Sequence, residues 1–156
     1  MLFLSSEDLA ESRLQLHYAI QLIAATGAAL ATPKPDYSHA SSCWNPDLNL
    51  FVGELINATT SFRVAIDPVN LTALILDQQF ATVDTFSLSD KTLADALNWL
   101  AATVSKLGGR GEEITLLSYP ADDFPDHAIA HGAAFSADGL DARRTLTQCY
   151  AITYPF

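Results

Sequence analysis

The apolar residues of this chain recur with two different periods, and this change restricts the folds that the chain can adopt. Up to Ala31 they return every three or four positions, which is the spacing of one helix face. From Leu48 onward they alternate with other residues, which is the spacing of a strand with one buried face. The pattern therefore predicts a long helix followed by a series of short strands.

The first helix is predicted from about Ser6 to Ala31. Ser5 precedes Asp8 by three residues, an arrangement in which the two side chains satisfy free amide groups at a helix start. Pro33 cannot continue the helix and favours an end just before it. We expect the helix to be largely buried because its apolar face is wide, with Leu9, Leu14, Leu16, Tyr18, Ile20, Leu22, Ile23 and Leu30.

Four strands are predicted after a polar connection that contains prolines. They cover approximately residues 48–56, 62–66, 71–76 and 80–88. Asp67 to Asn70 predicts a tight turn, with Pro68 at its second position. Because such short connections join antiparallel strands, the order favours an antiparallel meander over parallel strands with helical crossovers.

The second helix is predicted to start at Ser89 or Thr92 and to end at Gly108-Gly109. A fifth strand is predicted over residues 113–119. The last helix is predicted over residues 136–150, with Leu140, Leu146 and Cys149 facing inward and Arg143 and Arg144 facing outward.

These elements predict an α+β fold, with an antiparallel sheet of about five strands and three helices packed mainly on one face. The length of 156 residues suits a single globular domain spanning 1–156. A hydrophobic fraction of 49% and a charged fraction of 17% indicate a substantial core.

The charge balance disfavours two classes of partner. Eighteen acidic residues face eight basic ones, which gives a formal net charge of -10. Nucleic acids and anionic membranes attract lysine and arginine, so the chain is predicted to bind neither. The amino-terminal residues lack the basic start of a signal peptide, and the expected location is cytoplasmic.

The chain has two cysteines, too few for a disulfide framework. Their apolar neighbours favour buried free thiols at Cys43 and Cys149. A disulfide between Cys43 and Cys149 is the alternative if the protein is exported.

One segment has the composition of a metal or acid–base site. His127 and His131 are four residues apart, which would place both rings on one face of a helix. Asp123 or Asp126 would supply a carboxylate, and a zinc-like divalent ion is the metal that such ligands suit. The alternative is an acidic helix start with partly solvated histidines.

A second candidate site lies in the connection after the first helix. His39, Trp44 and Asn45 would line a pocket for a small apolar ligand between the sheet and the long helix, with walls from Tyr18, Phe51 and Phe62. The alternative is a tryptophan that plugs the sheet edge and a histidine bonded to backbone.

The chain also resembles a bacterial family known as a domain of unknown function. The resemblance covers roughly residues 14–135 and rests on Leu16-His-Tyr-Ala-Ile-Gln21, Ala29-Leu-Ala-Thr-Pro33, His39, Trp44-Asn45, Leu50, Phe62-Arg-Val-Ala-Ile-Asp67 and Leu74-Ile75. It implies no established activity or cofactor. The resemblance groups His39, Trp44, Asn45, Asp126 and His131 as one cluster. Because members of the family are longer, it also leaves open that this chain is the amino-terminal part of a longer parent.

Three functions fit these observations. The first is a non-enzymatic binding or assembly domain, which would self-associate or bind a protein partner over an open sheet face or edge. The second is the small-molecule pocket. The third is a metal-dependent enzyme that uses the His/Asp cluster around residues 123–131 to activate water.

Overall fold

The structure, a computed structural model, describes residues 3–118 and 125–153. It contains three α-helices, which are α1 (Ser6–Leu30), α2 (Leu93–Lys106) and α3 (Leu140–Thr153). Short 3-10 helices occupy Ser38–Ala40, Gly111–Glu113 and Ala128–His131. Within the described ranges, none of the helices combines the length and the apolar composition that crossing a membrane requires.

Five strands form one antiparallel sheet in the order β1-β2-β3-β4-β5. They are β1 (Cys43–Asn45), β2 (Leu50–Val52), β3 (Phe62–Asp67), β4 (Thr72–Asp77) and β5 (Thr82–Ser87). Each strand pairs with its neighbour in sequence, so the predicted meander is confirmed. The α+β class and the strand number predicted from the sequence are therefore correct.

The strands differ from the prediction in three respects. Strand β1 was not expected, because it has three residues inside a polar connection. Residues 114–118 form no strand: the amide of Ile114 bonds to Gly111 O at 3.2 Å, and its side chain enters the core. Residue 119 lies outside the described residues. The expected strand over residues 48–56 is shorter, and Ile56 forms an isolated bridge to Phe62.

Helix α1 starts as its sequence predicts. Ser5 Oγ accepts the Asp8 amide at 3.0 Å, and Asp8 Oδ2 accepts the Ser5 amide at 3.1 Å. Along the helix, Leu16 and Ile23 are buried against the sheet. The main core lies between the helices and the face of the sheet that carries Phe51, Phe62, Val64, Ile66, Ala73 and Ile75. We call this the inner face.

The opposite, outer face of the sheet carries a smaller apolar cluster. It consists of Leu50, Val52, Ala65 and Leu76, with Leu74 packed beside it. Alternation along the strands places Cys43, Asn45 and Arg63 on this face, because they stand opposite Val52, Leu50 and Leu76 in the register.

The prediction for helix α3 is the least accurate of those made for the three helices. It begins at Leu140 and not at residue 136, because residues 134 and 135 instead form bridges to Thr92 and Ser89 beside the start of α2. Leu140 and Cys149 are exposed, against the prediction.

Arg143, predicted to face outward, is 4% exposed. Its Nε donates to Val69 O at 2.9 Å and its Nη1 donates to Asp138 O at 2.6 Å. These backbone acceptors explain how a cation occupies the inward position.

Candidate ligand-binding site

Three aromatic side chains meet where β1 and β2 approach α3. Trp44 on β1 stands opposite Phe51 on β2, so both rings lie on the inner face. Their centroids are 5.1 Å apart, and Tyr150 of α3 lies 6.1 Å from Trp44 and 5.0 Å from Phe51. Edge-on and tilted contacts of this kind stabilise aromatic clusters.

These rings line a cavity of about 460 Å³, which we call the inner cavity. Leu16 and Ile20 of α1 form its apolar wall, and Arg13 and His17 supply polar groups from the same helix. The volume falls in the range of small-molecule sites, which are mostly apolar with a few polar groups.

The indole N–H of Trp44 has no hydrogen-bond partner among the described residues, although the side chain is only 6% exposed. Most buried donors in proteins are paired, and an unpaired one costs about 1–3 kcal/mol. The other tryptophan differs in this respect, because Trp99 Nε1 donates to Asp84 Oδ2 at 3.2 Å. Trp44, which lines the inner cavity, therefore has a donor that no described residue satisfies.

Two groups of α1 set the charge at the inner cavity. Arg13 is exposed and has no ion pair with a carboxylate of the described part of the chain. Burial lowers the pKa of His17, which keeps that ring neutral at pH 7. The cavity thus carries a guanidinium at its edge and no described carboxylate in its wall.

His39 occupies a structural position away from this cavity. It is 5% exposed, and its Nδ1 accepts the Lys34 amide at 3.0 Å. Its carbonyl oxygen lies so close to α1 that a Cβ on Gly27 would come within 2.2 Å of it. The expected alternative for this residue, a histidine bonded to backbone, is what the structure shows.

Asn45 and Trp44 lie on opposite faces of the sheet. Asn45 Oδ1 accepts the amides of Asp47 at 3.1 Å and Leu48 at 3.0 Å, which closes the turn between β1 and β2. Asn45 also lines a second cavity of about 300 Å³ on the outer face, together with Arg63 and Phe80, and Trp44 contributes to this cavity too. We call this the outer cavity.

The walls of the expected pocket are only partly as predicted. Trp44 and Phe51 line the inner cavity, whereas Phe62 is fully buried and neither it nor Tyr18 is among its lining residues. Arg13 and Tyr150 were missed, because nothing in a single sequence links α1, β1 and α3. An arginine beside the apolar face of α1 is the one signal that was available.

The histidines of the acidic segment form separate pairs. His127 Nδ1 accepts the Ile129 amide at 3.1 Å, and His127 Nε2 lies 2.8 Å from Glu11 Oε1. Since Nδ1 is an acceptor, Nε2 carries the proton and donates a hydrogen bond to Glu11 Oε1. Both ring nitrogens of His127 are thus engaged by protein groups.

His131 Nε2 lies 2.5 Å from Asp126 Oδ1, with both side chains exposed. The two histidines sit at either end of a 3-10 turn, so the two-turn α-helix assumed for a metal pair is not formed. Within 3–118 and 125–153, no three His, Cys, Asp or Glu residues are grouped to hold a metal ion. Asp123 lies outside the described residues.

Glu11, which bonds to His127, and the two cysteines are the remaining reactive side chains considered as site residues. Burial alone would raise the pKa of Glu11, but hydrogen bonds from His127 and Gln15 together lower it. Within the described residues neither Cys43 nor Cys149 is in a disulfide, and both are exposed, so the expectation of buried thiols is wrong.

Comparisons with protein-family models, with curated proteins and with solved structures each find no match to this chain. The resemblance to an uncharacterised bacterial family stays a prediction.

Proposed function

We propose that this protein is a small-molecule-binding domain and that the inner cavity is its site. The observation that carries the proposal is the buried indole N–H of Trp44, which is unpaired among the described residues and belongs to a side chain that lines an aromatic cavity. A ligand that offers an acceptor to this group recovers a hydrogen bond that none of the described residues makes.

The shape of the wall indicates the class of ligand. Rings of Trp44, Phe51 and Tyr150 on one side and aliphatic groups of α1 on the other favour a flat apolar molecule. Arg13 at the edge favours a ligand whose polar atoms are acceptors. A flat aromatic molecule with one acceptor group meets both conditions.

Assembly through strand addition, the alternative within the same class of binding function, has less support. The free edge of β5 is the longer of the two sheet edges, and its Thr85 amide is taken by Asp84 Oδ1 at 2.8 Å. An inward-pointing carboxylate on an edge strand is a known protection against strand pairing. A protein partner at another surface stays a prediction, as does the metal-dependent enzyme around residues 123–131.

The proposal is tested with 2-naphthol, a neutral flat aromatic with one hydroxyl, in nuclear magnetic resonance titrations. The chain has two tryptophans, so the spectrum contains two indole N–H signals to compare. We expect the Trp44 signal to shift and saturate with added 2-naphthol, while the Trp99 signal stays in place because its N–H is held by Asp84.

Two variants control the test. Trp44→Phe keeps an aromatic ring and removes the donor, and we expect it to weaken binding by about tenfold, the value of one hydrogen bond. Trp99→Phe is the matched control and should bind as the unmodified protein does. Equal affinity in both variants, or shifts of both indole signals that never saturate, would overturn the proposal.

A further inference from the structure

The outer cavity contains the second of two unusual donors. In the described residues, two buried side-chain atoms lack a hydrogen-bond partner, which are Trp44 Nε1 and Arg63 Nε. Trp44 lines both cavities, whereas Arg63 lines only the outer one. From this we infer that the outer cavity is a separate binding site for a small monocarboxylate, with the Arg63 guanidinium as its anchor.

The guanidinium of Arg63 is held in place without a carboxylate. Its Nη1 donates to Gly53 O at 3.1 Å, and its central carbon lies 5.0 Å from the centre of the Phe80 ring. No carboxylate of the described part of the chain forms an ion pair with it, although acidic residues outnumber basic ones eighteen to eight. Donor capacity on Arg63 is therefore left for a group from outside the chain.

Phe80 is placed over the guanidinium at some conformational cost. Its φ of 65° lies in the left-handed region, which is a strained conformation for a bulky residue. The ring is 39% exposed and forms one wall of the outer cavity. The Phe80 ring thus covers one side of the Arg63 guanidinium at the wall of the outer cavity.

A carboxylate is the anion whose shape matches the N–H donors of the Arg63 guanidinium. The flat guanidinium fork binds a carboxylate through two parallel N–H donors, a geometry that a lysine ammonium does not reproduce. Because Arg63 Nε is sealed from solvent, a carboxylate that reaches it requires a small rearrangement of side chains at the cavity wall.

Two acidic residues of the outer cavity limit the charge of the ligand. Glu54 is neutralised by an ion pair with Lys34, whereas Asp47 is exposed and has no ion pair among residues 3–118 and 125–153. Asp47 repels an anion at the edge of the cavity. This repulsion favours a single negative charge over a dianion and offers a second, independent test.

Acetate is the probe, and its binding is followed through the Nε–H signals of the arginine side chains. We expect the Arg63 signal to shift and saturate, while those of Arg110 and Arg144, which are exposed and paired with Glu113 and Asp141, move little. Arg63→Lys keeps the charge and removes the fork, so acetate affinity should fall by about tenfold or more. Asp47→Asn removes the repulsion and should raise the affinity.

The matched control is Arg110→Lys, which should leave acetate binding unchanged. Uniform shifts of all three arginine signals without saturation, or equal acetate affinity in Arg63→Lys, would overturn the inference. Arg13→Gln separates this site from the proposed function, because Arg13 lines the inner cavity and not the outer one. It should weaken binding of 2-naphthol and leave that of acetate unaltered. A failure at one cavity is therefore distinguishable from a failure at the other.

Discussion

Arg143 shows how strongly a single residue depends on its tertiary partners. It is buried and bonded to the backbone carbonyls of Val69 and Asp138, so it joins α3 to the turn between β3 and β4. Burial lowers the pKa of this guanidinium and the nearby Asp67 opposes the change, yet an arginine keeps its charge at pH 7. Its neighbour Arg144 is exposed, and among the described residues its ion pair is with Asp141.

These two adjacent arginines give a matched prediction at the scale of the residue. Arg143→Ala leaves two carbonyls without donors and a buried space, so the free energy of unfolding should fall by about 2–4 kcal/mol. Arg144→Ala removes an exposed ion pair and should change the free energy of unfolding by less than about 0.5 kcal/mol. Urea unfolding followed by circular dichroism measures both. Similar losses in the two variants would contradict the structural role of Arg143.

At the scale of the element, both α1 and α2 begin with the same reciprocal cap. In α2, Thr92 Oγ1 accepts the Asp95 amide at 3.1 Å and Asp95 Oδ2 accepts the Thr92 amide at 2.9 Å. The second of these bonds, with a further one from the Thr92 hydroxyl, lowers the pKa of Asp95 below its ordinary 3.8. The sequence predicted the cap of α1 because Ser5 and Asp8 are three residues apart, and for α2 it left the cap open between Ser89 and Thr92.

The lowered pKa of Asp95 predicts a pH dependence of α2. The unfolded chain binds the proton more readily than the folded chain does, so stability from this carboxylate is present above about pH 3.8 and is lost as the pH falls below it. Asp95→Asn should therefore be less stable than the unmodified protein at neutral pH, and the difference should shrink in acid. Urea unfolding at neutral pH and at about pH 3 measures it.

Glu112→Gln is the control for this prediction, because Glu112 is exposed and makes no side-chain hydrogen bond or ion pair within the described ranges. It should show no comparable pH-dependent difference. If Asp95→Asn lowered the free energy of unfolding by the same amount at both pH values, the effect would come from packing and not from charge.

At the scale of the whole molecule, net charge opposes compaction. A formal charge of -10 on 156 residues places like charges close together, and salt bridges in the described residues engage few of the acids. The core between the helices and the inner sheet face has to offset this repulsion.

Salt is expected to stabilise the whole molecule for this reason. Raising sodium chloride from about 0.01 M to about 1 M shortens the screening length from about 30 Å to about 3 Å. The melting temperature measured by calorimetry should rise over this range, because weakened repulsion favours the folded state more than the unfolded one. A fall on adding salt would show that attractive ion pairs dominate instead.

Features that depend on residues close together in the chain could be predicted from the sequence. The caps at Ser5 and Thr92, the turn at Asp67 and the meander of β2 to β5 depend on residues a few positions apart or on adjacent strands. The alternation at residues 113–119 was misleading, because an alternating segment becomes a strand only where a sheet edge accepts it. At the edge strand β5, the Thr85 amide already donates to Asp84 Oδ1, so it is not available to pair with a further strand.

The sequence by itself determined the α+β class, the long buried helix and the antiparallel order, because periodicity and turn chemistry act over short distances in the chain. Only the tertiary structure decided that Arg13, Trp44 and Tyr150 border one cavity, that Asn45 and Arg63 border another, and that Arg143 is buried. The physical reason is that a binding site depends on which unpaired donors and rings from distant segments meet. Pairwise contacts of this kind leave no periodic signal in a single sequence.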